Sequence, residues 1–181
     1  IAEAGIENIA SIVRSLAEAS PASVALHLDH GKSIEVAKAA VEAGYTSVMI
    51  DTSRLPLEEN IAATREIVKY AHARGVQVEA EIGQLAGIED LGEEEAAATF
   101  TAPEDAARFV GETHGDSLPS TIGTSHGAFK FKGEPRLDFD RLAAIARLID
   151  TPIVLHGASS VPAEDVSLAE RYGAQLPHAK G

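Results

Sequence analysis

Residues 23–51 read SVALHLDHGKSIEVAKAAVEAGYTSVMID, and this stretch decides the fold. An apolar run over 23–29 ends on Asp29 and His30, Ile34, Ala37 and Val41 share one helical face over 33–43, and Gly44 stops that helix. A second apolar run over 46–51 then ends on Asp51. The order is strand, helix, strand, and strands joined by a helical crossover run parallel. Upstream, Ile6, Ile9, Val13 and Leu16 recur at helical spacing over 3–17, before Ser20 and Pro21.

Downstream the unit repeats. A helix over 57–74 meets Gly75 in the stop position, and a third strand covers 76–82. Residues 83–99 form a Gly- and Glu-containing stretch longer than an ordinary connection, either functional or disordered. Pro103 opens the next helix, with Thr101 and Glu104 spaced as a capping box. A weaker strand over 116–122 contains Pro119, and helix 139–149, strand 152–155 and helix 163–171 complete the chain. Five β/α units in one domain over 1–181 predict an α/β fold whose sites lie beyond the carboxyl ends of parallel strands. An eight-stranded barrel takes about 250 residues. A chain of 181 is therefore too short for a complete one.

Composition narrows the function. Fifteen basic against 28 acidic residues leave a formal charge of -13, which gives no general affinity for a nucleic-acid backbone. Local N–H groups or a metal ion can still hold a small anion on an acidic protein. The absence of cysteine removes disulfides, thiolate zinc sites and a thiol nucleophile, and fits a cytoplasmic setting. No apolar run approaches the roughly 20 residues of a membrane span, so no membrane partner is expected. The chain opens at Ile1 and not at methionine, and a fragment of a longer protein is the expectation.

The strand ends carry the chemistry. His30, His126 and His156 each follow a different run, and three neutral imidazoles with an open fourth position suit a catalytic zinc ion. One such histidine alone reads equally well as a hydrogen-bonded loop residue; three in equivalent positions favour metal. His27, His72, His114 and His178 lack that placement and read as structural or surface residues. Asp29 either moves protons beside a ligand or caps and orients its neighbours. Asp51 and Glu81 offer hard oxygen ligands or hydrogen-bond partners for the histidines, and Glu79 shares the parity of Glu81 one pleat deeper. Gly127 and Gly157 each follow a candidate ligand histidine, with Lys130, Ser159 and Ser160 close behind; one His–Gly pair alone reads as a turn, and two beside candidate ligands suit a phosphate site.

The motifs 26–31 (LHLDHG), 47–51 (SVMID), 78–83 (VEAEIG), 122–127 (IGTSHG) and 154–159 (VLHGAS) occur in the order found in class II, zinc-dependent fructose-bisphosphate aldolases. The chain resembles that family over essentially its whole length, through the segment ending at 176–181. The resemblance implies a (β/α)8 TIM barrel represented in part, from the third to the seventh β/α unit. It implies zinc held by His30, His126 and His156, acid–base chemistry at Asp29, and a second divalent or a monovalent ion, with Asp51 and Glu81 at the second or alternative metal position. Glu89 matches a carboxylate that moves the C1 proton of dihydroxyacetone phosphate, and Gly127, Lys130, Gly157 and Ser159 match phosphate or cation contacts.

The implied reaction is reversible aldol cleavage of fructose 1,6-bisphosphate to dihydroxyacetone phosphate and glyceraldehyde 3-phosphate by a homo-oligomer. No strand end carries the lysine that an imine mechanism needs. Tagatose-bisphosphate aldolase is the close alternative, and a noncatalytic fragment or assembly subunit of the same family is the more distant one. The family's first two strands and its eighth have no counterpart here, and His114 and Pro119 depart from its more apolar sixth strand.

Overall fold

Three strands, β1 (His27–Gly31), β2 (Ser47–Ile50) and β3 (Gln77–Ala80), lie side by side in that order and pair in parallel. The computed structural model describes residues 5–83, 86–87, 100–123, 125–126, 137–158, 161–172 and 174–175, with 86, 87, 125, 126 and 175 described by backbone alone. A second parallel sheet has the order β5 (Leu118–Pro119), β7 (Ile153–Val154), β8 (Ala174–Gln175). In a third, two-stranded sheet, β4 (Ala86–Gly87) pairs in parallel with β6 (Ser125–His126). The α/β architecture with parallel sheets expected from the sequence is present.

The helices are α1 (Ile6–Glu18), α2 (Ile34–Ala43), α3 (Leu57–His72), α4 (Pro103–Thr113), α5 (Phe139–Leu148) and α6 (Ala163–Arg171). Ser33 caps α2 by accepting from the Val36 N–H, and Gly44 ends it in the left-handed region at φ 91°. Asp138 caps α5 by accepting from the Arg141 N–H. In α3, Glu58 and Glu59 open the first turn and Lys69 and His72 close the last, complementing the helix dipole. Apolar residues of the strands, such as Val48, Ile50 and Val78, pack with Ala37, Ala40, Ile67 and Phe109 of the helices in one buried cluster.

Three expectations shift. Thr101 makes no capping box: α4 begins after Ala102, and the Thr101 hydroxyl donates to the Ile82 carbonyl while accepting from the Thr121 N–H. Tertiary bonding between strand ends outcompetes the local cap. In α1, Ile6 and Ile9 pack against the core while Leu16 is exposed, because the helix meets its neighbours mainly through its first half. The regular part of the first strand begins at His27 and not at residue 23; at Leu26 the N–H goes to the Thr46 hydroxyl instead of a ladder partner.

Pro119 explains the break between the two larger sheets. Among the described residues, β3 and the chain around β5 form no continuous ladder: they are joined by the isolated bridges Glu79↔Ser117 and Ile82↔Ser120 and by hydrogen bonds between Asp116 and Val78. Leu118 and Ser120 give their N–H groups to the other side, to Pro152 and Val154. Residue 119 would supply the intervening rung to β3, and proline has no N–H to give.

β1 contains the irregularity that matters most for the site. His27 pairs with Ser47 and Leu28 with Val48, but the next partner pair is Gly31 with Ile50. Asp29 and His30 therefore both stand opposite Met49, in a β-bulge. The bulge brings Gly31 so close to β2 that a Cβ there would lie 2.6 Å from the Met49 carbonyl oxygen and 2.8 Å from Leu28 Cδ2. Gly31→Ala is expected to destabilise the protein by about 1–3 kcal/mol. Urea denaturation measures this, and unchanged stability would show that β1 and β2 have room to separate.

Candidate metal centre

The bulge sets His30 in the left-handed region at φ 47°, a conformation that costs a non-glycine residue roughly 1 kcal/mol or more. Its N–H is taken by Met49 Sδ at 3.4 Å. The imidazole stands among three carboxylates. Nδ1 lies 3.0 Å from Asp51 Oδ2 and 3.5 Å from Glu81 Oε2, and Nε2 lies 3.8 Å from Asp29 Oδ1.

His156 follows β7, with Gly157 behind it at φ 69°. The ring is buried, and its Nε2 lies 2.7 Å from Glu79 Oε1. Its Nδ1 lies 3.9 Å from the same Asp29 Oδ1 that neighbours His30. The two imidazoles meet edge to face, centroids 5.0 Å apart.

These distances assign the ring nitrogens. A neutral imidazole has one N–H, and an ionised carboxylate can only accept. Asp51 engages Nδ1 of His30, which turns the Nε2 lone pair toward Asp29. Glu79 engages Nε2 of His156, which turns the Nδ1 lone pair toward the same oxygen. Burial works to raise the Asp51 pKa, but hydrogen bonds from His30 and from the Ser53 hydroxyl and N–H outweigh it and hold the carboxyl at about 2. Asp51 is thus an acceptor throughout the neutral range.

The donor set suits a divalent ion. Asp29, His30 and His156 each offer a ligand atom within 4.8 Å of the others, and His30, Asp51 and Glu81 form a second such group. Both free ring nitrogens face the space around Asp29 Oδ1, 3.8 Å from His30 Nε2 and 3.9 Å from His156 Nδ1, so the two imidazoles converge on one centre beside that carboxylate. Imidazole nitrogen with carboxylate oxygen is a set zinc accepts readily. Asp29 is 56% exposed, so one side of the cluster is open to a small molecule.

The structure brings together Asp29, His30, Asp51, Glu81 and His156 from the strand ends named in the sequence. His126 lies in β6 with Gly87 as its strand partner, and its side chain is outside the described residues, as are Glu89, Gly127, Lys130 and Ser159. His27 contacts the Ser47 hydroxyl, His72 pairs with Asp116, and His114 caps α4 in the left-handed region. None of these three belongs to the cluster. Sequence reasoning set Glu79 beside Glu81 by parity without giving it a role, and passed over Ser117, whose hydroxyl donates to Glu79 Oε2 at 3.1 Å. The parity Glu79 shares with Glu81 was the available signal.

The model of the family "Fructose-bisphosphate aldolase class-II" matches residues 1–175. A fructose-bisphosphate aldolase of Helicobacter pylori is 49% identical over 98% of this chain and 58% of its own length. A 6-phospho-5-dehydro-2-deoxy-D-gluconate aldolase of Shouchella clausii is 48% identical over 87% of this chain and 51% of its own. Among solved structures, the YdjI aldolase of Escherichia coli K12 superposes with a TM-score of 0.81 at 34% identity, covering 95% of this chain and 59% of that one. The chain belongs to the class II fructose-bisphosphate aldolase family. It spans about half the length of the curated relatives it matches.

His30→Ala and His156→Ala are each expected to weaken zinc binding at least tenfold, while His72→Ala leaves it unchanged. Competition with a chromophoric chelator measures all three. Equal loss in the His72 variant would mean that the cluster is not where the metal sits.

Proposed function

We propose that this chain carries the metal centre of a zinc-dependent aldolase that cleaves fructose 1,6-bisphosphate to dihydroxyacetone phosphate and glyceraldehyde 3-phosphate, and catalyses the reverse condensation. The observation that carries this reading is the convergence of Asp29, His30 and His156 in a chain of this family. The strands correspond, on this reading, to the third to seventh β/α units of a (β/α)8 barrel. A homo-oligomer in a cytoplasmic setting belongs to the same reading. Among the described residues, no helix is long and apolar enough to cross a membrane.

His30 through Nε2, His156 through Nδ1 and His126 would hold the zinc. When bound, the ion supplies Lewis-acid polarisation of the ketone and stabilises the negative charge left by C–C cleavage. Asp29 has the exposure to meet substrate, and it takes the C4 hydroxyl proton in cleavage and returns it in condensation. Asp51 holds Nδ1 of His30 with Glu81 3.5 Å away beside it, and the hard oxygens of both carboxylates also suit a second divalent ion. Glu89 is assigned the C1 proton, and Gly127, Lys130, Gly157 and Ser159 the substrate phosphate or a monovalent cation, on family likeness. A second reading, cleavage of a deoxygluconate phosphate, is favoured by the relatives of that name at 44–48% identity.

The test is aldol cleavage by the zinc-loaded chain, assayed on fructose 1,6-bisphosphate, tagatose 1,6-bisphosphate and 6-phospho-5-dehydro-2-deoxy-D-gluconate, before and after EDTA. Cleavage that EDTA abolishes and zinc restores supports the mechanism; cleavage that EDTA leaves untouched overturns it. Asp29→Ala is expected to lower kcat about 10²–10⁴-fold while retaining zinc. Loss of zinc in parallel with kcat would make Asp29 a ligand and not the acid–base group.

A further inference from the structure

Glu79 lies in β3 and Glu81 just beyond its last residue, and side chains two apart along an extended chain share a face. They serve different histidines. Glu81 lies 3.5 Å from His30, whereas Glu79 lies 2.7 Å from His156 Nε2 and reaches across the seam between the two larger sheets. The other oxygen of Glu79 accepts from the Ser117 hydroxyl at 3.1 Å, at the bridge where β3 meets the chain before β5. Both oxygens are thereby occupied and the carboxylate plane is set. Glu79 and His156 are each more than nine-tenths buried, so water offers the ring little competing partner.

We propose that Glu79, braced by Ser117, is a positioning residue that locks the His156 ring with Nε2 protonated and Nδ1 presented to the metal. This rests on the reading of His156 as a zinc ligand given above. An acceptor-only group at Nε2 excludes the tautomer that would put the proton on Nδ1, where it would block coordination. Its negative charge also makes the opposite nitrogen a better donor to a cation. Ser117 acts one step further out: without it, Glu79 can rotate and Oε1 leaves the line of the Nε2–H bond.

The test uses the full 181-residue chain with Glu79→Gln, Glu79→Leu, Ser117→Ala and, as reference, His156→Ala. Two quantities are read: zinc affinity by chelator competition, and the ring-nitrogen signals of His156 in long-range proton–nitrogen NMR of the zinc-free protein at a pH where imidazole is neutral. The wild type is expected to show a single Nε2–H tautomer. Glu79→Leu loses zinc affinity about 10–100-fold with mixed tautomers. Glu79→Gln keeps the tautomer, since its amide oxygen still accepts, but loses affinity with the charge; Ser117→Ala loses less.

A merely structural Glu79 would lower thermal stability and leave both readouts unmoved. Wild-type zinc affinity in both Glu79 variants, beside a defective His156→Ala, overturns the proposal and spares the metal centre. Wild-type affinity in His156→Ala overturns the metal reading itself. Should Glu79→Leu fail to fold, the near-isosteric Glu79→Gln and Ser117→Ala decide the question.

Discussion

A histidine presents one nitrogen to a metal only if something holds the other, and in this protein the holding is done by buried carboxylates on neighbouring strands. Asp51 at the end of β2 takes Nδ1 of His30, and Glu79 in β3 takes Nε2 of His156. The two rings then offer opposite nitrogens to one centre, with Asp29 between them. Each carboxylate would be costly to bury without donors, and each imidazole would be free to turn without an acceptor. The requirement is mutual, which explains why so much negative charge lies beneath the strand ends.

Parallel sheets make this possible. Every strand delivers its carboxyl end to the same side, so residues far apart in sequence, such as Asp29 and His156, arrive within 4 Å. The bulge in β1 adds what regular alternation cannot. Two consecutive residues, Asp29 and His30, reach one centre because both oppose Met49 and because His30 accepts a left-handed backbone. Gly31 lets the strands close up immediately afterwards. Local strain at His30 is balanced by three carboxylate contacts and a thioether acceptor for its N–H.

Much of this was legible in the sequence because it depends on local pattern. The α/β alternation, the stop at Gly44 and the polar residues closing apolar runs all follow from periodicity and from what buried strand ends require. Pairing between strands is different, because register is settled by tertiary packing. The bulge at Asp29–His30, the seam at Pro119, the use of Thr101 by Ile82 and Thr121, and the choice of Glu79 for His156 and Glu81 for His30 are all questions of register. Glu79 and Glu81 look equivalent in a one-dimensional reading. Two residues of strand length separate them, and that offset decides which histidine each can reach.

Zinc K-edge X-ray absorption of the metal-loaded chain tests the central claim most directly. The account predicts nitrogen and oxygen ligands at about 2.0–2.1 Å with outer scattering from at least two imidazoles, lost when His30 and His156 are replaced together. A spectrum of oxygen ligands alone, or one unchanged in the double variant, would contradict it.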